Sequence, residues 1–433
     1  MSWELALGVY GILLFTLLFF GVAIGSVMGF VGIVGLTVVA GTGFWLTLGD
    51  IAWNTLDSFT LTAVPLFVFM GEIIVRSGVS PRFYAGLSRL VGRLRGGLAQ
   101  ANIVGCAIFS AISGSSTATA MTIGVIALPE TRKRGYRDEL TLGTLTGGGC
   151  LGILIPPSIP LVIYAASVQE SLLELFMAGI VPGVLLALLF MVFVWIRVFI
   201  SPELAPVTPA ASRNEILRGL KDCIPIMVLV MAVIGGMYFG IVTPTEAGAL
   251  GCALALVLSM QYRELTWAGF IEAVSSTVIT TSVVLFIMMN SQILSYALTT
   301  SGIGRDLAQI ITGMDLAPFY LFLCLMVLYI ILGMFIDGIS MMLLTLPVLL
   351  PVLIGAGYDL VWFGIVMVLF MELGQLTPPL GLNLFAIQSI SGNVSLGKIA
   401  YSSLPYALII IGFCFLVYAF PGIVLWLPQS VSN

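Results

Sequence analysis

The stretch GILIPPSIPLVIY, residues 152–164, decides the fold of this protein. Three prolines, Pro156, Pro157 and Pro160, fall inside a long apolar run. A proline inside a helix removes one backbone hydrogen bond, clashes with the preceding turn and costs about 3 kcal/mol. We therefore predict a helix that is broken within apolar surroundings, and its broken ends expose backbone carbonyl and N–H groups.

The composition around this stretch is that of a membrane protein. The chain has 433 residues, of which 60% are hydrophobic and 8% charged, and its mean hydropathy is +1.16. Most apolar runs have the crossing length of a helix, about 20 residues, and lack the alternating pattern of barrel strands. These features predict an all-α polytopic membrane protein. The net charge of −4 gives no indication of a nucleic-acid partner.

The residue types needed for enzymatic chemistry are scarce. The chain has no histidine, which removes the commonest general base and metal ligand. Its six cysteines lie in or beside apolar runs without a CxxC pair, and we interpret them as small buried hydrophobic residues. Because no nucleophile–base constellation is present, we predict neither an intramembrane enzyme nor a bound cofactor.

Two clusters of basic residues set the predicted orientation, because such residues concentrate on the cytoplasmic side of a membrane. The clusters cover residues 76–95 and 132–137. Three apolar segments precede the first cluster: residues 5–24, 28–46 and 60–75. Three crossings that end inside must begin outside, so the N-terminus is predicted to be periplasmic. Continued along the chain, this path leaves every basic residue except Arg305 inside and makes the C-terminus periplasmic too.

Two apolar segments do not fit a simple span. Residues 98–129 have both ends on the cytoplasmic side, yet two full crossings need about 40 residues plus a turn. Their centre, SAISGSSTAT, is rich in hydroxyls and can turn at Gly114. We predict a re-entrant hairpin, which is tolerated where protein or a wet cavity shields the irregular backbone. Residues 318–353, centred on GMFIDGIS, are interpreted in the same way, and two short full spans stay the alternative there.

The two halves of the chain resemble each other. An offset of 222 residues carries Pro156 onto Pro378 and Ser115 onto Asp337. In each half a proline pair follows a polar hairpin, and the predicted topology gives the two copies opposite orientations. Inverted repeats with helices broken at corresponding places indicate a secondary transporter whose site lies near the middle of the membrane.

The tips and breaks supply oxygen atoms of the kind that a hard cation such as sodium prefers. Predicted sodium-binding residues lie at both tips and both breaks: Ser113, Ser115, Gly152, Pro157, Gly333, Asp337, Gly338, Gly374 and Thr377. N–H groups at the tips and half-helix starts suit a carboxylate. Predicted substrate contacts are Ser115, Ser116, Thr117, Pro156, Pro378 and Asn383. Whether the prolines chiefly expose carbonyls to sodium or shape the cavity stays open.

Two further carboxyls are predicted at membrane depth, where a charge is costly and often functional. Glu72 lies close to the cytoplasmic end of its helix, and we interpret it as a structural carboxyl near the interface. Glu372 lies just before the second proline pair, and its role stays open.

The chain carries four ordered motifs that closely resemble the large membrane subunit of tripartite ATP-independent periplasmic (TRAP) transporters, the DctM-like family: FSAISGSSTATA, GCLGILIPPSIPLVIYA, GIVTPTEAGA and ELGQLTPPLGLNLF. The resemblance covers essentially the whole chain. It implies an elevator-type carrier driven by a sodium gradient. It also implies two partners, a small four-helix membrane subunit, expected here as a separate chain, and a periplasmic binding protein that delivers an organic acid.

These expectations divide the chain into segments: N-terminal scaffold helices 1–61, a helix with an amphipathic cytoplasmic connector 62–97, a first transport repeat 98–175 with hairpin 98–129 and broken helix 142–164, scaffold helices 176–273, a helix with connector 274–317, a second transport repeat 318–400 with hairpin 318–353 and broken helix 362–390, and a C-terminal helix 401–433. The expected function is sodium-coupled uptake of a small organic acid across the bacterial inner membrane. The alternatives are a sodium/dicarboxylate-type symporter without a binding protein and a passive channel. Substrate identity stays open.

Overall fold

The computed structural model describes residues 3–206, 212–313 and 318–432. Within these ranges every regular element is helical, which confirms the all-α prediction. The first part of the chain forms α1 Trp3–Phe19, α2 Ile24–Ala40, α3 Trp45–Leu56, α4 Ala63–Arg76, α5 Val79–Val91, α6 Gly97–Ser113, α7 Ser116–Lys133, α8 Asp138–Gly149, α9 Ile159–Val168 and α10 Leu172–Ile200.

The second part forms α11 Arg213–Val230, α12 Gly236–Tyr238, α13 Pro244–Tyr262, α14 Trp267–Thr300, α15 Ile303–Gly313, α16 Pro318–Gly333, α17 Gly338–Gly355, α18 Leu360–Gln375, α19 Leu382–Ser391, α20 Leu396–Ala419 and α21 Gly422–Ser432. A π-helical turn, Met231–Gly235, joins α11 to α12 as one continuous helix. Residues 207–211 of the polar linker and 314–317 of the second connector lie outside the described residues.

Several helices are long and apolar enough to cross a membrane. Among the described residues five pass this test singly, namely α10, the continuous helix Arg213–Tyr238, α14, α17 and α20. Residues of Trp45–Leu56 and Thr60–Arg76 pass together as a pair bent by 54°. Large apolar side chains on these helices, such as Val192 of α10 and Leu46 of α3, are exposed, as expected where lipid replaces water. The chain is thus a multi-pass membrane protein.

The first predicted hairpin consists of α6 and α7, which pack against each other. The chain turns at Gly114, whose φ of +59° is readily adopted only by glycine. Ser115 caps α7, because its hydroxyl accepts a hydrogen bond from the Ala118 amide at 3.4 Å. Helix α7 contains Pro129 and continues to Lys133, so the second arm is longer than residues 98–129 predict.

The second predicted hairpin consists of α16 and α17. Asp337 caps α17 by accepting a hydrogen bond from the Ser340 amide at 3.0 Å, the same role that Ser115 has for α7. Because α17 is by itself long and apolar enough to cross, two short spans stay an alternative to a re-entrant hairpin here.

Both predicted broken helices are interrupted at their proline pairs. Helices α8 and α9 are separated by residues 150–158, and α18 and α19 by residues 376–381. The Pro156–Pro157 and Pro378–Pro379 peptide bonds are both cis. Together with their flanking turns, the broken helices extend a few residues beyond the predicted ranges 142–164 and 362–390.

The structure differs from the predicted segments in three places. The region between the apolar segments 28–46 and 60–75 contains a helix, α3, whose apolar residues are spaced for a helix but are too few for a crossing. The C-terminal helix predicted for residues 401–433 begins earlier, at Leu396, and is two helices that meet at Pro421, where a proline favours the start of a new helix. The amphipathic connector, predicted to reach residue 97, ends at Val91, and Gly96 with φ of +83° follows in the turn before α6.

The helices form two sets of mutual contacts. In one set α14 packs against α2 and α4, α13 packs against α4, and α5 packs against α11. In the other, α8 packs against α6, α7 and α20, and α18 packs against α16 and α20. Helix α10 contacts α6, α9, α18 and α21, so it lies with the second set. The hairpin tips lie where the two sets meet.

Candidate transport site

Both hairpin tips open onto one cavity of about 270 Å³. The first tip contributes residues 113–118 and the second contributes residues 337–339. The remaining walls come from α4 and α14, represented by Glu72 and Thr280, and from helix residues that flank the two proline breaks, such as Pro160 and Gln375. Segments more than 200 residues apart in the chain therefore share one site between the two sets of helices.

The cavity brings together six of the predicted ligands: Ser113, Ser115, Ser116, Thr117, Asp337 and Gly338. The other eight do not line it: Gly152, Pro156, Pro157, Gly333, Gly374, Thr377, Pro378 and Asn383. Several of these pack directly behind the tips. The structure thus divides the predicted residues between the wall of this cavity and positions that do not line it.

In the first copy, the hairpin tip and the proline break are in direct backbone contact. A β-carbon added to Gly152 would lie 2.5 Å from the Ser116 Cα and 2.6 Å from the Ser115 carbonyl oxygen. The Ile159 amide donates a hydrogen bond to the Gly114 carbonyl oxygen at 3.4 Å. Only glycine at position 152 permits this approach.

In the second copy, a glycine pair makes the corresponding contact. A β-carbon on Gly374 would lie 2.6 Å from the Gly333 Cα, and one on Gly333 would lie 2.5 Å from the Gly374 Cα. The Leu380 amide donates a hydrogen bond to the Met334 carbonyl oxygen at 3.3 Å. Gly374 is the residue that the 222-residue offset aligns with Gly152. Each broken helix therefore makes close backbone contact with the hairpin that precedes it in the chain. In both cases the contact is at a glycine, and the 222-residue offset aligns these two glycines.

Hydroxyl groups at the first tip are close enough to one another to act as a group of oxygen ligands. The Ser113 hydroxyl lies 2.5 Å from the Thr119 hydroxyl and 3.3 Å from the Ser115 carbonyl oxygen. The Ser115 hydroxyl lies 3.3 Å from that of Thr117. In the second copy the Thr377 hydroxyl donates to the Leu373 carbonyl oxygen at 2.6 Å, so it is already engaged in its own helix.

The charged residues that line the cavity are acidic. Among the described residues that line it, Glu72 and Asp337 are charged and none is basic. Glu72 is ion-paired with Arg76 and accepts a hydrogen bond from the Ser276 hydroxyl at 2.7 Å. It is paired as a structural carboxyl should be, but it also faces the cavity, which the sequence interpretation missed. The position of Glu72 at membrane depth is the sequence feature that could have indicated a place in the cavity wall. No feature of the sequence indicated that Thr280 or Gln375 would line the cavity.

Glu372 and Asn383 lie buried behind the first tip. Glu372 is 1% exposed and Asn383 is 0% exposed. The Ser116 hydroxyl donates to one carboxyl oxygen of Glu372, and the Asn383 amide group donates to the other at 3.4 Å. Asn383, predicted to contact substrate, is therefore separated from the cavity by these groups.

No cluster of three or more cysteine, aspartate or glutamate side chains that could hold a metal ion occurs among the described residues. The oxygen atoms at the tips suit a hard monovalent or divalent cation instead.

A second cavity, of about 650 Å³, lies between α3, the end of α9 and α14. Its polar lining includes Asn54, Glu170, Gln292 and Ser295. Under the predicted topology this cavity is near the periplasmic end of α14. The cavity at the hairpin tips is nearer the cytoplasmic end, because Thr280 lines it.

A helical membrane protein with two hairpin tips and two broken helices around one cavity has the architecture of a secondary-transporter permease. The chain belongs to the family described as "Tripartite ATP-independent periplasmic transporter, DctM component", whose family model matches residues 12–423.

Curated relatives agree with this assignment. The C4-dicarboxylate TRAP transporter large permease protein DctM of Pseudomonas aeruginosa is 34% identical over 378 residues, which cover 87% of this chain and 88% of that protein. The sialic acid TRAP transporter large permease protein SiaM of Vibrio cholerae is 34% identical over 416 residues, 95% of this chain and 96% of that protein. The 2,3-diketo-L-gulonate permease YiaN of Escherichia coli is 31% identical over 397 residues, 90% of this chain and 92% of that protein.

Two solved structures share the fold. The YdaH transporter of Alcanivorax borkumensis superposes with a TM-score of 0.63 at 16% identity, covering 89% of this chain and 90% of that one. MtrF of Neisseria gonorrhoeae superposes with a TM-score of 0.59 at 15% identity, covering 88% and 84%.

Family membership has plain consequences. The chain is the large permease subunit of a system for secondary solute uptake, and it is a transporter subunit rather than an enzyme. It is a multi-pass protein of the inner membrane. The family implies two protein partners, a small membrane subunit and a periplasmic binding protein.

Proposed function

We propose that this permease couples the uptake of a small organic acid to a sodium gradient across the bacterial inner membrane. One observation carries the proposal: both hairpin tips meet at a single cavity whose described lining contains hydroxyls, two carboxyls and no basic residue. Such a cavity attracts a cation first, and the bound cation then offsets the charge that would otherwise repel an anionic substrate. Sodium would therefore be required for substrate binding.

The proposed sodium sites lie where each hairpin tip contacts the proline break of the same half of the chain. In the first copy the ligands are drawn from the hydroxyls and carbonyls of Ser113, Ser115, Gly152 and Pro157. In the second copy they are drawn from Gly333, Asp337, Gly338, Gly374 and Thr377. The close backbone approach at Gly152 and at the Gly333–Gly374 pair supports this assignment, because it brings carbonyl oxygens of two segments within reach of one ion.

The organic acid would bind on the cavity side of the tips. Helices α7 and α17 both begin at the cavity, so their first N–H groups and dipoles favour a carboxylate there. Ser115, Ser116 and Thr117 are the proposed contacts. Pro156, Pro378 and Asn383 would act by shaping the wall from behind, since they do not line the cavity. The relatives named for C4-dicarboxylates, sialic acid and 2,3-diketo-L-gulonate support an acid as the substrate class.

Transport would follow an elevator mechanism. The moving body comprises the hairpins and broken helices, and its contacts favour adding α10 and α20. Helix α10 thereby moves residues 176–200 out of the expected scaffold segment 176–273. The static body comprises α2, α4, α11, α13 and α14. Thr280 lines the tip cavity and Ser295 lines the second cavity, about 22 Å apart along α14 at 1.5 Å per residue. The tips would move along α14 between these positions, with both termini periplasmic.

The test is uptake into proteoliposomes that contain this chain and its small membrane subunit, with the binding protein added outside. A panel of C4-dicarboxylates, sugar acids and keto acids is offered with an inward sodium gradient, and potassium replaces sodium in the control. We expect uptake that needs both sodium and the binding protein. Sodium-independent uptake would refute the coupling. Full uptake without the binding protein would instead favour the symporter that works alone.

A further inference from the structure

Glu372 is a buried carboxyl that the proposed mechanism does not use. It lies in the last turn of α18, two residues before Gly374, and is 1% exposed. A carboxyl in such a place is costly unless its oxygens accept hydrogen bonds. Its partners therefore indicate why it is there.

Those partners belong to different parts of the fold. One carboxyl oxygen of Glu372 accepts a hydrogen bond from the hydroxyl of Ser116, the first residue of α7 at the first hairpin tip. The other accepts one from the Asn383 amide group at 3.4 Å, in α19 beyond the second proline break. A single side chain thus ties the hairpin of the first copy to both halves of the broken helix of the second.

The position has a counterpart in the first copy. The 222-residue offset aligns Glu372 with Cys150, and the Asn383 amide group, 3.4 Å from Glu372, also lies 3.6 Å from the Cys150 sulfur. The two proline breaks therefore approach each other at Asn383. Its amide oxygen is buried and has no hydrogen-bond partner among the described residues.

We infer that Glu372 is a positioning residue that links the two halves of the site through hydrogen bonds, so that sodium binding in one copy depends on the other. The inference rests on the proposed sodium coupling. Ser116 follows the predicted ligand Ser115, and Glu372 precedes the predicted ligand Gly374. A displacement of either ligand segment is transmitted to the other through the Ser116–Glu372–Asn383 contacts.

A glutamine at position 372 should preserve this link. Its amide oxygen can accept from the Ser116 hydroxyl, and its NH₂ group can donate to the Asn383 amide oxygen once that side chain has turned over. A leucine at position 372 has nearly the same size but accepts no hydrogen bond. The pair of substitutions separates hydrogen-bonded positioning from any direct role of the carboxyl charge.

The test uses sodium alone as the probe. Thermal unfolding of the purified full chain is measured over a range of sodium chloride concentrations, with potassium chloride keeping the total salt constant. We expect the wild type to be stabilised cooperatively, with a Hill coefficient above about 1. Glu372→Gln should need less than about twofold more sodium. Glu372→Leu should need at least about fivefold more and lose cooperativity, because Ser116 and Asn383 are left unpaired.

Matched controls separate this role from general stability. Glu139→Gln changes an exposed glutamate at the start of α8 and should leave the sodium curve unchanged. Ser116→Ala removes one of the two links and should also reduce cooperativity, and adding it to Glu372→Leu should have little further effect. If Glu372→Leu does not fold, Ser116→Ala and Glu372→Gln still decide the matter.

Three outcomes would overturn the inference. If Glu372→Gln needs as much additional sodium for stabilisation as Glu372→Leu, the effect is assigned to the carboxyl charge. If Glu372→Leu does not fold, Ser116→Ala takes its place in this comparison. If Ser116→Ala, and Glu372→Leu where it folds, are stabilised by sodium as the wild type is, the hydrogen-bonded link does not matter. A wild-type protein that sodium stabilises no more than potassium would refute the sodium coupling itself, and the inference with it; only in this last case does the proposed function fail as well.

Discussion

Alanine at position 152 tests whether the first proline break and hairpin tip form one ion site. The added β-carbon would lie 2.5 Å from the Ser116 Cα and 2.6 Å from the Ser115 carbonyl oxygen. Favourable contacts between such atoms are about 3.5–4 Å. Because both neighbours are backbone atoms, no side-chain rotation relieves the clash, and the tip itself has to move by about 1 Å.

The size of the effect follows from this displacement. Overpacking of a close-packed contact costs about 1–3 kcal/mol. If the displaced tip holds sodium, the same free energy is lost from ion binding. The half-saturating sodium concentration for uptake should then rise about 5- to 150-fold.

The assay is sodium-dependent uptake in the reconstituted system, with Gly412→Ala as the matched control. Gly412 lies in α20, and a β-carbon there would meet nothing within 4 Å, so this variant should behave as the wild type. Unfolding temperatures of both variants are measured in potassium to detect loss of fold. A Gly152→Ala protein with the wild-type sodium dependence would refute the reasoning that tip and break form one site.

Three further predictions concern the same cavity. Gly374→Ala would place a β-carbon 2.6 Å from the Gly333 Cα, and we expect at least about a fivefold higher sodium requirement for uptake; no change would separate the second break from the ion sites. Asp337→Asn keeps a residue that caps α17 well but removes a charge from the cavity, so the fold should persist while the sodium requirement rises about fivefold or more. Unchanged uptake at limiting sodium would remove Asp337 from the ligands. Glu72→Gln removes an ion pair with Arg76 and should lower the unfolding free energy by about 1 kcal/mol, seen as a lower melting temperature, with the sodium requirement changed less than about twofold. A rise of about fivefold or more in the sodium concentration required for uptake would place Glu72 among the sodium ligands instead.

Features decided within a few residues could be predicted. Gly114 turns the first hairpin, as predicted, because its φ is positive. Ser115 and Asp337 both cap the arm that follows, a role that was not predicted although serine and aspartate are favoured caps. Such roles depend on residue type and one turn of backbone. Helix α3 was missed because a short amphipathic helix resembles a polar connection when only crossing-length apolar runs are sought.

Features that depend on packing could not be predicted. The sequence of α10 does not distinguish it from other long apolar spans. Only its contacts with α6, α9 and α18 associate it with the hairpins. Glu72 reads as an interfacial carboxyl, and only the approach of α4 to both tips makes it part of the cavity wall. An apolar stripe shows that a helix face is buried, but many faces are equally suitable partners.

By itself, the sequence determined the membrane class, the two proline breaks, the polar hairpin tips and the family, because each of these follows from composition or from a short ordered motif. The tertiary structure alone decided which oxygen atoms share a cavity and which residues support them from behind. Ser116 and Glu372 show the reason: their hydrogen bond joins residues 256 positions apart. Contacts of that kind arise from how helices pack in three dimensions, and no local pattern of residues encodes them.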